Sequence, residues 1–535
     1  MPQGNLPIVG VHLDLKYTMP KKSYLLKWVR RLPRLGINTL LIEYEDKFPY
    51  RKYPFLAVPE AFAPAELKKF LATARGVGLR VIPLVQTLSH LEFALAHEQL
   101  AHLREAPDVP TQICPSNPAA VSFVKDLLRE VLTYHEEDEY FHIGADEAWH
   151  LGLCPRCAAR LQRSDSVAMW AEHVSDIAQF IVQAGKKPIA WDDALRDKPE
   201  EVTQLPQALI LNSWSYGDTE IVPDKFPWRN VDLYLARGYQ VVGSPCLNQG
   251  VLIPSPICLT NTAAWARKAR EGKMLGLLNT AWACFHVHQP VTWMQIAATG
   301  DLMAGKIAEA DYAWQSRFLS REYGCKVHGV VGALQALASG WGFRVTGVGR
   351  ALSPAVYAYT DMVVHFPGGQ PERRRRGIYP LDWNEIDFTA IYQKKLAYVR
   401  AAEDMAAVHR QVDELLAAYT EAHGPLTKLA RRARRHREEA RLLAIYADVK
   451  LLHTQVFDHL LRGTGNRDKL ERRLRSQGRA LRQALTPFLE PPSVQRMLRM
   501  YWEPPLAVLT GKSCPLAAAP TPVSRPAAGP DSEIY

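Results

Sequence analysis

The residues best suited to chemistry lie in one short segment, EYFHIGADEAWHLG, where His142 precedes two small residues, Gly144 and Ala145, and then two adjacent carboxylates, Asp146 and Glu147. Two acids in different surroundings can divide an acid–base reaction, one kept protonated as the general acid and the other ionised. Successive strand residues point to opposite faces, so both acids reach one site only where a strand ends and turns into its loop. An Asp-Glu pair is common on solvated surfaces, and its neighbours set this one apart. Other apolar runs end in polar groups of their own: His12 and Asp14; Glu43, Glu45 and Asp46; Gln86, His90 and Glu92; Trp191 with Asp192 and Asp193; Trp214 with Tyr216; and Trp282. A tryptophan at a strand end is unusual as core packing. Its face suits a pyranose, whose axial C–H groups form an apolar patch, so the three tryptophans point to a sugar.

These residues are placed by eight short apolar, β-branched runs, at 7–15, 37–44, 79–86, 139–147, 187–193, 208–214, 239–245 and 274–282. Amphipathic stretches at 21–36, 64–78, 121–135 and 167–185 lie between them, several closing on glycine. Continuous apolar strands alternating with helices predict a parallel sheet. The fold class is therefore α/β, with eight repeats favouring a (β/α)8 TIM barrel over a doubly wound open sheet. The loop after the first run, DLKYTMPKK, has no GxGxxG, which removes the main support for a dinucleotide-binding sheet. In a barrel, chemistry gathers at the C-terminal strand ends, where these polar groups fall. Long Ala/Leu/Arg/Glu stretches at 403–423 and 427–461 predict a C-terminal α-helical domain. The expected division is a catalytic barrel over 1–345, a helical domain over 346–505 and a disordered Pro/Ala-rich tail over 506–535.

Charge follows that division. The chain of 535 residues carries a net +10, but residues 1–345 hold 36 Lys+Arg against 35 Asp+Glu, leaving 29 against 20 in the rest. The neutral part holds the chemistry, so the net charge implies no polyanionic substrate. The basic runs Arg373–Arg376 and RRARRHR (431–437) read as a solvated helix face compensated by Glu438 and Glu439, and nucleic acid is not an expected partner. Eight cysteines are scattered, with only Cys154 and Cys157 in a CxxC. Reduced thiols in a cytoplasmic protein fit this usage, a regulatory disulfide or a metal shared with a nearby His being the alternative. The N-terminal residues show no secretory signal, and no run approaches the roughly 20 apolar residues of a membrane span.

HIGADE matches the H-x-G-[G/A]-D-E signature of glycoside hydrolase family 20, the β-N-acetylhexosaminidases. HLDLK (12–16), LLIEYEDKFPY (40–50), IPLVQTLSH (82–90) and WDDALRD (191–197) follow the short forms of the hexosaminidase D type. The resemblance covers roughly residues 7–300. It implies exo-acting removal of terminal β-linked N-acetylhexosamine, GlcNAc or GalNAc, by a retaining mechanism in which the substrate's 2-acetamido oxygen replaces the usual second carboxylate. Glu147 would be the acid and base, and Asp146 would orient the acetamido group. Trp191, Trp214 and Trp282 would wall its methyl pocket, Tyr216 would bond its carbonyl, and His90 and His142 would tune or orient the carboxylates. No cofactor is implied. The family's arginine on the first strand falls on Val9 here, and its Trp-x-Glu reads Trp282-Ala283-Cys284, leaving Asp14, His12 or Glu45 to hold the sugar hydroxyls. Two other readings remain: a metal-dependent barrel hydrolase using His12, His90, His142, Asp146 and Glu147, and a glycan-binding protein acting through the basic helical region. That region could pack on the barrel or form a homodimer.

Overall fold

The computed structural model describes residues 6–107, 109–216, 227–248, 256–282, 289–339, 388–402 and 404–511. Eight parallel strands form a closed barrel: β1 (Ile8–Asp14), β2 (Thr39–Glu43), β3 (Arg80–Leu84), β4 (Tyr140–His142), β5 (Lys187–Trp191), β6 (Ile210–Trp214), β7 (Val241–Ser244) and, after the three-residue β8 (Cys246–Asn248), β9 (Gly276–Ala281). Closure is made by β1 against β9, with Ile8 opposite Gly276. Gly276 has φ 142°, and a Cβ there would run into the Ile8 carbonyl, so the seam requires glycine. Each barrel strand falls inside one of the eight apolar runs, and the TIM barrel is the observed fold.

Strand alternation divides the core. Ile8, Leu41, Ile82, Ile189, Ile210 and Leu278 fill the barrel interior. Val9, Val11, Leu40, Ile42, Val81 and Leu211 pack outward on the helices. Those helices are α1 (Lys22–Arg31), α2 (Pro64–Gly76), α3 (Glu92–Leu95), α4 (Pro118–Leu132), α5 (Pro155–Leu161), α6 (Ser166–Gln183), α7 (Trp228–Ala236), α8 (Pro256–Glu271) and α9 (Trp293–Met303). The first stops short of the expected residue 36. Pro33 lacks the amide hydrogen that would continue it, and the chain finishes in a 3₁₀ turn closed by Gly36 at φ 82°. The fourth begins earlier than expected, because the Asn117 side chain accepts the Ala119 N–H and Pro118 suits the first turn.

The C-terminal part is helical, with α10 (Tyr312–Tyr323), α11 (Val330–Ser339), α12 (Phe388–Arg400), α13 (Met405–Arg432), α14 (Arg437–Arg462), α15 (Arg467–Leu485), α16 (Pro491–Tyr501) and α17 (Glu503–Thr510). The expected boundary near 345 and Arg373–Arg376 lie outside the described residues. The stretch 427–461 divides between two helices: α13 ends at Arg432 and His436 takes φ 47°, so the basic run turns a corner in which the Arg434 and Arg435 N–H groups meet the Tyr323 carbonyl. One expectation needs correction: a tail starting at 506 is too early. Pro504 and Pro505 open α17, where proline is tolerated, and Leu506 and Leu509 are buried. Among the described residues no helix is long and apolar enough to cross a membrane.

The helices pack directly on the barrel. Met19 N–H donates to Ser493 Oγ at 2.7 Å, Lys21 N–H to the Phe488 carbonyl at 2.8 Å, and Glu490 N–H to the Met19 carbonyl at 2.9 Å. On another side, the Arg31 guanidinium stacks 3.6 Å above Trp293 and pairs with Glu322 and, at 3.2 Å, with Glu439. Trp293 Nε1 donates to the same Glu439 at 3.1 Å. Removing one partner of a buried pair strands the other's charge. Arg31→Ala should therefore lower unfolding stability by about 3 kcal/mol, read as a fall in urea midpoint. An unmoved midpoint would show that this contact does not tie the helices to the barrel.

Candidate active site

The acid pair sits on a turn of unusual backbone. β4 ends at His142, and the chain then takes positive φ at Gly144 (62°), Ala145 (71°) and Glu147 (52°). This converts an alternating strand into a loop that projects both acids to one side. Left-handed conformations at alanine and glutamate cost energy and persist only where surroundings hold them. Four contacts do so. Trp170 Nε1 donates to the Ala145 carbonyl at 2.8 Å, Ala145 N–H to Gln86 Oε1 at 3.3 Å, Glu147 N–H to Asp193 Oδ2 at 2.9 Å, and Ser89 Oγ to the Asp146 carbonyl. At Gly144 a Cβ would collide with the Gln86 side chain.

His90, itself at φ 54°, completes the centre. Its Nε2 lies 3.4 Å from Asp146 Oδ2 and 3.3 Å from Glu147 Oε2. Burial would lower the imidazole pKa, but the two carboxylates outweigh it and hold His90 well above its usual value. The reciprocal effect appears at Asp146: burial would raise its pKa, and the His90 charge and hydrogen bond bring it below the ordinary range. Asp146 is thus kept ionised in a buried place. Its other oxygen, Oδ1, is buried with no hydrogen-bond partner among the described residues. The Glu147 side chain is about a quarter exposed, at 26%.

Carboxylates around this centre go the other way. Burial, then the charge of Asp146, raises Asp193 to about 7. Burial raises Asp192 to about 6, and burial followed by Glu43 raises Asp14 to about 6. Glu43 would also rise on burial, but its hydrogen bond with His12 and the charges of Lys16 and His12 lower it. Lys16 reaches Glu45 at 2.7 Å and Glu92 at 2.9 Å, forming a buried charge cluster at the ends of β1 and β2.

The aromatic residues gather as expected at the strand ends. Trp191 and Trp282 have ring centroids 6.0 Å apart, Trp214 stacks on Tyr216 at 5.0 Å, and Trp282 Nε1 donates to Tyr216 Oη at 3.0 Å. Trp191 is 1% exposed, so it forms the floor of this group rather than a wall. Its Nε1 is buried with no hydrogen-bond partner among the described residues.

One expectation changes here. His142 touches neither carboxylate. It accepts the Gly144 N–H on Nδ1 at 3.0 Å and meets the Asn212 amide at Nε2 at 3.2 Å, so it supports the turn, and burial lowers its pKa to about 3. With both nitrogens engaged, it is not available as a metal ligand. His12 is fully buried, with Nε2 3.4 Å from Glu43 and its ring edge-on to Trp282 at 5.1 Å. Lys16, Gln86 and Asp193 were not assigned from sequence. They lie within HLDLK, IPLVQTLSH and WDDALRD, but their partners sit on other strands, so no local spacing marks them.

The chain is similar in sequence to known proteins. Residues 51–246 match the model for "Glycosyl hydrolase family 20, catalytic domain". Hexosaminidase D of Bos taurus is 37% identical over 294 residues, covering 51% of this chain and 83% of that protein. Hexosaminidase D of Homo sapiens is 32% identical over 298 residues, 54% of this chain and 56% of that protein, so the chain spans about half the human protein's length. Among solved structures, the Flavobacterium johnsoniae chitobiase is 14% identical with a TM-score of 0.48, covering 94% of this chain and 77% of that one. A turned strand end carrying two acids in a TIM barrel, the family match, and the extent of the bovine alignment lead to one conclusion: the chain is a glycoside hydrolase that belongs to glycosyl hydrolase family 20.

Proposed function

We propose that the protein is an exo-acting β-N-acetylhexosaminidase that removes terminal β-linked GlcNAc or GalNAc with retention, using the substrate's acetamido group as nucleophile. The observation that carries this reading is the state of Asp146: buried, ionised, held through Oδ2 by His90, and left among the described residues with an unpartnered Oδ1. A carboxylate in that condition lacks one donor, and an acetamido N–H is a donor that suits it. Accepting this hydrogen turns the acetamido oxygen toward C1 and stabilises the positive charge that develops as the oxygen attacks. Glu147 gives its proton to the glycosidic oxygen as the C1–O bond breaks and the aglycone leaves. The oxazolinium ion is then opened by water at C1, whose proton returns to Glu147. Two displacements at C1 leave its configuration unchanged. Holding the nucleophile within the substrate supplies part of the rate.

Trp214 and Trp282 would flank the acetamido methyl over the Trp191 floor, with Tyr216 donating to the carbonyl. For the sugar hydroxyls, we assign Asp14 and the Lys16–Glu45–Glu92 cluster in place of the arginine that Val9 displaces. Val9 packs among the outward-facing hydrophobics and could not serve.

Three outcomes test this. An aryl N-acetyl-β-glucosaminide or galactosaminide should be cleaved about a thousandfold or more faster than the matching plain glucoside. Equal rates would eliminate assistance by the acetamido group. Glu147→Gln should reduce kcat/KM on substrates with poor leaving groups by roughly 10²–10⁴ and spare activated aryl substrates more, whereas a fully active variant removes Glu147 from the chemistry. His90→Gln deletes the charge that keeps Asp146 ionised. Because that charge depresses the Asp146 pKa, its loss should move the acidic limb of the kcat/KM profile to higher pH, by about one unit or more. A profile with an unchanged acidic limb would mean that His90 does not set the ionisation of Asp146.

A further inference from the structure

The CxxC at Cys154 and Cys157 does not stand alone in the fold. Cys114, distant in sequence, brings its Sγ to 3.3 Å from Cys154 Sγ and 3.6 Å from Cys157 Sγ. Glu105 Oε2 lies 3.3 Å from Cys157 Sγ. One ligand atom from each of these four residues lies within 4.8 Å of the others. Glu105 is 1% exposed, and its Oε1 accepts the Gly152 and Cys154 N–H groups at 3.0 and 3.1 Å, which aims Oε2 at the sulfurs. Among the described residues no Lys, Arg or His stands within ion-pair distance of that carboxylate. A buried carboxylate facing three thiols without a cation is an unbalanced arrangement.

We propose that Cys114, Cys154, Cys157 and Glu105 bind a structural zinc ion. Three thiolates and one carboxylate form a closed tetrahedral set of the kind zinc takes, and Zn–S bonds of about 2.3 Å place sulfurs about 3.8 Å apart, close to the observed spacings. Each thiol releases its proton to solvent as the ion binds. The Cys157 N–H, 3.2 Å from Cys154 Sγ, and the Ser116 hydroxyl, 3.3 Å from Cys157 Sγ, are positioned to support the thiolates. A disulfide would use only two of the sulfurs and leave the third, with Glu105, unexplained. The fourth member is a glutamate rather than the histidine that the CxxC alone would lead one to seek.

The location gives the ion a purpose. Cys154 ends the loop that leaves Asp146 and Glu147, while Glu105 and Cys114 belong to the segment after β3 that carries His90. The ion would join the two loops whose contact sets His90 against the acids. One further bond runs parallel to it, from His150 N–H to Gln112 Oε1 at 3.0 Å. This is a positioning site that touches no substrate, and it stands whether or not the proposed sugar chemistry is correct.

The test is metal content of the purified full chain, measured by mass spectrometry after dialysis against metal-free buffer. About one zinc per chain is expected, with cobalt replacement producing the absorption of a tetrahedral thiolate–cobalt centre. Cys114→Ser and Cys157→Ser should each lose at least tenfold in zinc content. Cys258→Ser, at a separate thiol pair 3.7 Å from Cys246, should retain it. The proposal is overturned if the wild-type chain holds no zinc after reduction and zinc reconstitution, if both serine variants retain full zinc, or if intact mass shows a disulfide within the cluster that takes up no zinc once reduced. Should a serine variant fail to fold, the wild-type stoichiometry and cobalt spectrum decide the matter.

Discussion

The arrangement depends on a strained turn. Adjacent residues on a strand face opposite ways, and Asp146 and Glu147 share a site because the backbone from Gly144 to Glu147 leaves the extended region. Nothing in alanine or glutamate favours that conformation. It is sustained by bonds from Trp170 on α6, Gln86 beyond β3, and Asp193 beyond β5, so three separate elements hold one turn. The barrel matters to the chemistry chiefly because it places those elements around β4 rigidly enough to oppose the strain.

The electrostatics follow the same division. The site gathers more carboxylates than cations, and burial drives Asp14, Asp192, Asp193 and Glu45 toward neutrality. Asp146 and Glu43 go the other way, Asp146 because His90 stands against it and Glu43 because of His12 and Lys16. Neighbouring cations thus decide which acids keep their charge in a place where desolvation favours losing it. Lys16 also pairs with Glu45 and Glu92 at the neighbouring strand ends.

The basic helices serve the barrel by contact. Their link through Arg31, Glu439 and Trp293 is a buried charge pair stacked on an aromatic face, and the bonds between residues 19–21 and 488–493 join the connection between α15 and α16 to the loop after β1. That loop follows Asp14 and Lys16, so the helices brace a segment leading directly from the site.

The sequence alone determined the eight strands, their closure class, the acid pair and the aromatic strand ends. These rest on local periodicity and on residue types that few other roles explain. Tertiary structure decided what depends on partners from other strands: that His142 braces the turn, that His12 meets Glu43, that Lys16 and Asp193 belong to the site, and that Trp191 is a floor. It likewise divided the stretch 427–461 between two helices at His436 and extended the chain's helical part through Thr510. The clearest case is the cysteine cluster. A lone CxxC is a weak signal because two thiols cannot enclose an ion, and Cys114 and Glu105 reach it only when the segment after β3 folds over the start of α5. Periodicity is a property of neighbours along the chain, whereas a site is a convergence of side chains from many strands, and only the closed barrel brings them together.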